Sequence, residues 1–175
     1  MVSPALNSLP TVAVLFAPGS VSAQRWRALL QQEGIPVVDA NLSTGMATLD
    51  RVFRGLLPGD NLVWQVDTIG DFAPFAGPYC RAAQQAGRRL VYFRFAEHPP
   101  LASEHDGATV CELPSCAGFE KFITQIRRTI REAGRGAFFV FDCLSTLADQ
   151  WCSDRMLGNF FMLTCPYVYD LESLA

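Results

Sequence analysis

The stretch RRLVYFRF, Arg88 to Phe95, decides how the rest of the chain is read. Leu90, Val91, Tyr92 and Phe93 follow one another without the polar alternation of a sheet that has one wet face. A strand of this kind is buried on both sides, as the strands of parallel sheets are. A parallel strand needs a crossover on each side, so the flanking segments must supply helices. In front, PYCRAAQQAG (Pro78 to Gly87) has the composition of a helix stopped by glycine. Behind lies EHPPLASEHDG (Glu97 to Gly107), a loop by its prolines and polar residues, and then TVCEL (Thr109 to Leu113), a short strand.

The pattern continues in both directions. FEKFITQIRRTIREAG places Phe119, Phe122, Ile123, Ile126 and Ile130 at three- and four-residue intervals with the arginines opposite, an amphipathic helix with one wet side. AFFVFD (Ala137 to Asp142) is a second continuous apolar strand, and it ends in an acid. Upstream, NLVWQV (Asn61 to Val66) reads as a strand, and Leu49, Val52 and Phe53 as a helix before the Pro58-Gly59 turn. From Asp71 onward a helix is expected to be irregular in its early turns because of Pro74 and Pro78. TVAVLF, SAQRWRALLQQEG and IPVVDA make a βαβ unit of the first forty residues. Near the other end a helical segment is expected around Met156 to Leu163, with no closing strand after it. Alternating β and α predicts a three-layer α/β domain, a mostly parallel sheet flanked by helices. Its parts are an N-terminal unit over 1–42, a core over 43–150 and a C-terminal helical segment over 151–175.

Composition bounds the function. The 175 residues are 50% hydrophobic and 18% charged, enough to bury one core. A net charge of -3 offers no general attraction to nucleic acid or anionic lipid. No apolar run is long enough to span a bilayer, and MVSPALNSLP has neither the basic region nor the apolar core of a signal peptide, so a cytoplasmic chain without nucleic-acid or membrane partners is expected. The six cysteines show no CxxC and no paired histidine spacing, and are expected to be reduced, mostly buried thiols.

Several blocks taken in order carry a resemblance. STGMATLDRVFRGLLPGDNLVWQV resembles the lead-in to the phosphate-loop strand of RecA/KaiC-type ATPases; CRAAQQAGRRLVYFRFAEH is similar to the helix, glycine and strand that follow; GAFFVFDCLSTL resembles the Walker B strand. The resemblance covers Ser43 to Leu147 and implies RecA/KaiC-like (P-loop NTPase-like) topology, with Glu97 at the catalytic glutamate position and Asp142 where magnesium would be held through water. LLPGDNLVWQVD and GRRLVYFRFAEHPPL also resemble the N-terminal region of bacterial proteins that carry a phosphoenolpyruvate synthase or pyruvate, phosphate dikinase type of C-terminal domain. That resemblance implies a module that continues into a longer protein, with the linked domain or another protein as partner, and homo-oligomerisation as a further expectation.

The departure lies in the loop after Val66. A Walker A loop wraps phosphates with glycine-rich backbone and reaches them with lysine. Asp67 to Phe75 contains one glycine, Gly70, no lysine, and the two carboxylates Asp67 and Asp71. Two like charges at about 4 Å repel by on the order of 4 kcal/mol at an effective dielectric of 20, so these aspartates oppose a triphosphate where lysine would attract it. A non-catalytic or regulatory domain without a cofactor is therefore expected, with Asp67, Gly70, Glu97 and Asp142 as the vestigial nucleotide-site candidates. The alternative is an atypical magnesium-ATP unit of a pyruvate-phosphorylating enzyme; a flavodoxin- or receiver-like domain ranks behind both.

Three side chains have local readings as well. Glu97-His98 is read as the solvated entrance of a loop ahead of an acid/base pair, and Asp142 as a cap for the segment starting near Cys143. Arg94 interrupts an apolar strand and needs an anionic partner, for which Asp67 is the expected candidate.

Overall fold

The computed structural model describes residues 42–95, 97–114 and 118–175 and the helical position of Gln32. The chain divides into units 1–41 and 42–175, and the account below concerns the second. The expected βαβ unit of the first forty residues lies outside the described residues.

Three strands form one parallel sheet: β1 (Leu90–Arg94), β2 (Ala108–Glu112) and β3 (Phe138–Asp142), in the order β2-β1-β3. The RRLVYFRF stretch is thus the central strand. In register, Tyr92 lies beside Val110 and Val140, and Arg94 beside Glu112 and Asp142. Leu90 to Phe93 are all buried, as a central parallel strand requires.

Helices cover both faces, so the α/β three-layer expectation holds for this unit. One face carries Leu90, Tyr92, Ala108 and Phe138 against Cys80 and Ala83 of α2 (Ile69–Gln85). The other carries Val91, Phe93 and Phe139 against Phe122, Ile123, Ile126 and Ile130 of α3 (Phe119–Ala133), together with Leu147 of α4 (Leu144–Trp151) and Phe160 and Val168 of α5 (Asp154–Asp170). The two sets alternate along each strand because successive side chains point to opposite faces. Of the five α3 residues expected to face the core, Phe122, Ile123, Ile126 and Ile130 are buried and Phe119 is half-buried, and the arginines lie outward. Arg127 lies 4.2 Å over the Tyr167 ring, and Arg128 pairs with Glu132 at 2.7 Å.

Four features differ from the sequence reading. Helix α2 runs unbroken through Pro74 and Pro78; Ala76, Cys80 and Ala83 bury a continuous stripe whose packing outweighs the missing backbone donors. The expected helix near Met156 extends to Asp170, and the chain then returns to the sheet, with Leu174 bridged in parallel to Phe138. Cys152 is exposed, whereas Cys80 is the buried thiol of those described, with its pKa pushed up to about 11 chiefly by burial. Finally, Asn61 to Val66 forms no strand, although its composition favours one.

The Ser-Thr-Gly and Leu-Asp pieces of the lead-in have a local use. Asp50 in α1 (Ala47–Phe53) accepts from the Thr44 N–H at 2.8 Å, the Thr44 hydroxyl at 2.7 Å and the Ser43 hydroxyl at 2.5 Å. Gly45, at φ +83, sits so close to α2 that a Cβ there would lie 2.1 Å from the Pro78 carbonyl oxygen. These contacts tie the segment before α1 to the layer on one face of the sheet.

Candidate functional site

Ligand sites of open parallel sheets lie beyond the carboxyl ends of the strands, and here that edge is set by Asp142, the last residue of β3. Its side chain is 3% exposed. A buried carboxylate is tolerated only where its lone pairs are met. Oδ2 accepts a hydrogen bond from the Tyr92 hydroxyl, and Oδ1 lies 3.1 Å from His98 Nε2. The backbone oxygen of Asp142 accepts from the Phe95 N–H at 2.5 Å, closing the ladder between β1 and β3.

Each partner is fixed from elsewhere in the fold. Tyr92 is held neutral, its pKa raised by burial first and then by the bond to Asp142, so it remains a donor. Its oxygen also accepts from the Leu101 N–H at 3.3 Å, which brings the loop after β1 onto the strand end. His98 lies in that loop, and its Nδ1 is 2.8 Å from the Pro99 carbonyl oxygen. Both ring nitrogens thus face oxygen atoms of the protein, one on the strand end and one in its own loop. Arg94 donates to the His98 carbonyl oxygen and, from Nη1, to Glu112 at 2.7 Å.

The local expectations are corrected at three points. Arg94 meets Glu112 in place of Asp67, because β2 and not Asn61 to Val66 is its neighbour on that side. Asp142 caps no helix: Cys143 is the N-cap of α4, joined to Asp142 by a cis peptide, and no side chain caps it. Glu97-His98 is not only a solvated entrance, since His98 turns inward to Asp142 while Glu97 stays exposed.

A cavity of about 680 Å³ opens beside this cluster, between β3 and residues 61–67. Asp142, His98 and Thr68 are among its polar lining residues, and Trp64, Phe75 and Phe161 among its apolar ones. Of the four candidates, Asp67 and Asp142 line the cavity, whereas Gly70 and Glu97 are exposed and do not. Gly70 lies in the first turn of α2, where Asp71 turns back over the helix start. Its Oδ2 accepts from the Thr68 N–H at 3.0 Å and the Thr68 hydroxyl at 2.9 Å. The positive end of the helix thus already holds a carboxylate of its own chain. Among the described residues no group of three or more His, Cys, Asp or Glu side chains is placed to hold a metal ion. No helix among them is long and apolar enough to cross a membrane.

Sequence reading missed Tyr92. It was legible only as a core aromatic, because its partner lies fifty positions away and only the register of β1 against β3 brings the two together.

No protein-family model matches this chain, and no curated protein does.

Proposed function

We propose that this chain is a non-catalytic, regulatory interaction module of RecA/KaiC-like topology, in which carboxylates of structural use stand where a phosphate loop would work. The N-terminus of α2 carries the reading. In a phosphate loop the helix start and its free N–H groups are what an anion binds. Here Asp71 occupies that place, and its charge opposes a second anion. The engagement of Asp142 by Tyr92 and His98 supports the same reading, since both carboxylate oxygens are turned to protein partners. The resemblance to the N-terminal region of phosphoenolpyruvate synthase-like proteins makes regulation of a linked or bound catalytic domain the natural role.

Calorimetric titration with magnesium-ATP and magnesium-ADP tests the reading. No saturable heat is expected up to about 1 mM nucleotide, the strength that corresponds to about 4 kcal/mol of binding. Saturable binding at micromolar concentration would overturn it in favour of the rival reading, an atypical magnesium-ATP unit. That rival draws on one observation: Asp67 and Asp142 line the same cavity, where a magnesium ion would let phosphate approach them.

A further inference from the structure

The outward side of α3 gathers positive charge in an acidic chain. Between positions 121 and 135 stand Lys121, Arg127, Arg128, Arg131 and Arg135 against a single acid, Glu132, although the whole chain has a net charge of -3. Two of these cations are met in the ordinary way. Arg128 pairs with Glu132 at 2.7 Å, and Arg135, just past the helix, with Glu172 at 2.7 Å.

Arg127 and Arg131 are met differently. They stand four positions apart, so both leave α3 on the same side, and like charges at that spacing disfavour a helix. Among the described residues neither pairs with a carboxylate; both turn across to Tyr167 of α5. The Arg127 guanidinium lies 4.2 Å over the Tyr167 ring, and Arg131 Nη2 donates to the Tyr167 hydroxyl at 2.8 Å. Arg127 first, and then Arg131, hold the Tyr167 phenol below the ordinary tyrosine range. A phenol oxygen has two lone pairs, whereas each guanidinium brings five N–H donors and a full charge. Tyr167 therefore orients the two forks without satisfying them.

The acids of this chain do not complete the pair. Glu132 and Glu172 are engaged with Arg128 and Arg135. In sequence, residues 1–41 offer only Glu33 and Asp39, which stand six apart and not four.

We infer that Arg127 and Arg131 form a docking point for an acidic segment of a partner protein, one that carries two carboxylates a helical turn apart so that each meets one guanidinium. The spacing is that of α3, where four residues rise about 6 Å. Bidentate pairing of guanidinium with carboxylate supplies the orientation that a point charge would not. Glu132, next to Arg131 in the chain, and Glu172, held by Arg135 one turn further on, surround the pair with negative charge. That charge opposes a continuous polyanion such as nucleic acid and suits a discrete acidic pair. The inference rests on reading this unit as an interaction module, and names the surface and the partner chemistry.

The probe is an alanine-rich helical peptide of about sixteen residues with two glutamates four positions apart, beside the same peptide with two glutamines. Nuclear magnetic resonance of the chain with isotope-labelled tyrosine follows the ring carbon that bears the Tyr167 hydroxyl. The glutamate peptide is expected to move that signal saturably at about millimolar concentration in low salt. Tyr169, 67% exposed and on another side of α5, is the unmoved reference. Arg127→Gln and Arg131→Gln are each expected to weaken binding at least about five-fold, whereas Arg155→Gln, an exposed arginine in the first turn of α5, leaves it unchanged. No movement, equal movement with the glutamine peptide, or an equal loss in Arg155→Gln overturns the inference. So does movement that follows protein concentration without peptide, which would assign the pair to a second copy. None of these readouts depends on nucleotide, so their failure is distinct from a failure of the titration above.

Discussion

Asp142 shows how little a residue type says about its use. A carboxylate at the end of an apolar strand is what a magnesium site needs, and it is also what a buried tyrosine and a returning loop need. Here the second use is visible: Tyr92 donates from β1, and His98 from the loop that follows. Removing the hydroxyl alone leaves a buried carboxylate oxygen without its donor and the Leu101 N–H without its acceptor. Tyr92→Phe is accordingly expected to lower unfolding free energy by about 1 to 3 kcal/mol, measured by urea denaturation. The acid of this cluster was legible in the sequence because it closes an apolar run, but its partners were not. Tyr92 reads as core, and His98 stands in a proline-containing loop whose path only the folded chain reveals.

Among the elements, the start of α2 separates the two uses of a helix terminus. Asp71 satisfies Thr68 from three residues downstream, and its negative charge sits at the favourable end of the helix dipole. Asp71→Ala is expected to destabilise the unit by about 1 kcal/mol, read as a shift of the urea midpoint with unchanged slope. If Asp71 instead suppresses an anion site, the same variant will gain affinity for inorganic phosphate, which calorimetry detects. The helices were the most legible elements: α3 announces its buried face through Phe122, Ile123, Ile126 and Ile130. The strand at Asn61 to Val66 was misjudged for a physical reason. Composition reports what a segment suits, whereas strand formation also needs a continuous bonded neighbour, and among the described residues Leu62 bonds through its N–H to Ala175 without a ladder forming.

For the unit as a whole, stability should depend on alkaline pH. Burial raises the Cys80 pKa from 9.0 to about 11 and raises those of Tyr79 and Tyr92 as well. These groups ionise in the unfolded chain before they do in the folded one. Their contribution is therefore complete below about pH 9 and is lost as pH rises toward the folded values, on the order of 2 kcal/mol for Cys80 by pH 11. Urea denaturation across pH 8 to 11 checks the sign; a flat profile would mean that these side chains are not buried as described. The parallel sheet and its two helical layers followed from apolar runs alternating with amphipathic ones. The strand order did not, because β1 takes its central place through contacts that no local pattern encodes.

The most direct measurement of the central claim, that Asp142 serves the fold and not a nucleotide, is equilibrium urea denaturation of the wild-type chain and Asp142→Ala without any ligand. A carboxylate kept for binding is commonly a strain on the folded state, and its removal stabilises. One that anchors Tyr92 and His98 leaves both without an acceptor when it goes. The account predicts a loss of about 2 to 4 kcal/mol for Asp142→Ala; unchanged or increased stability would contradict it.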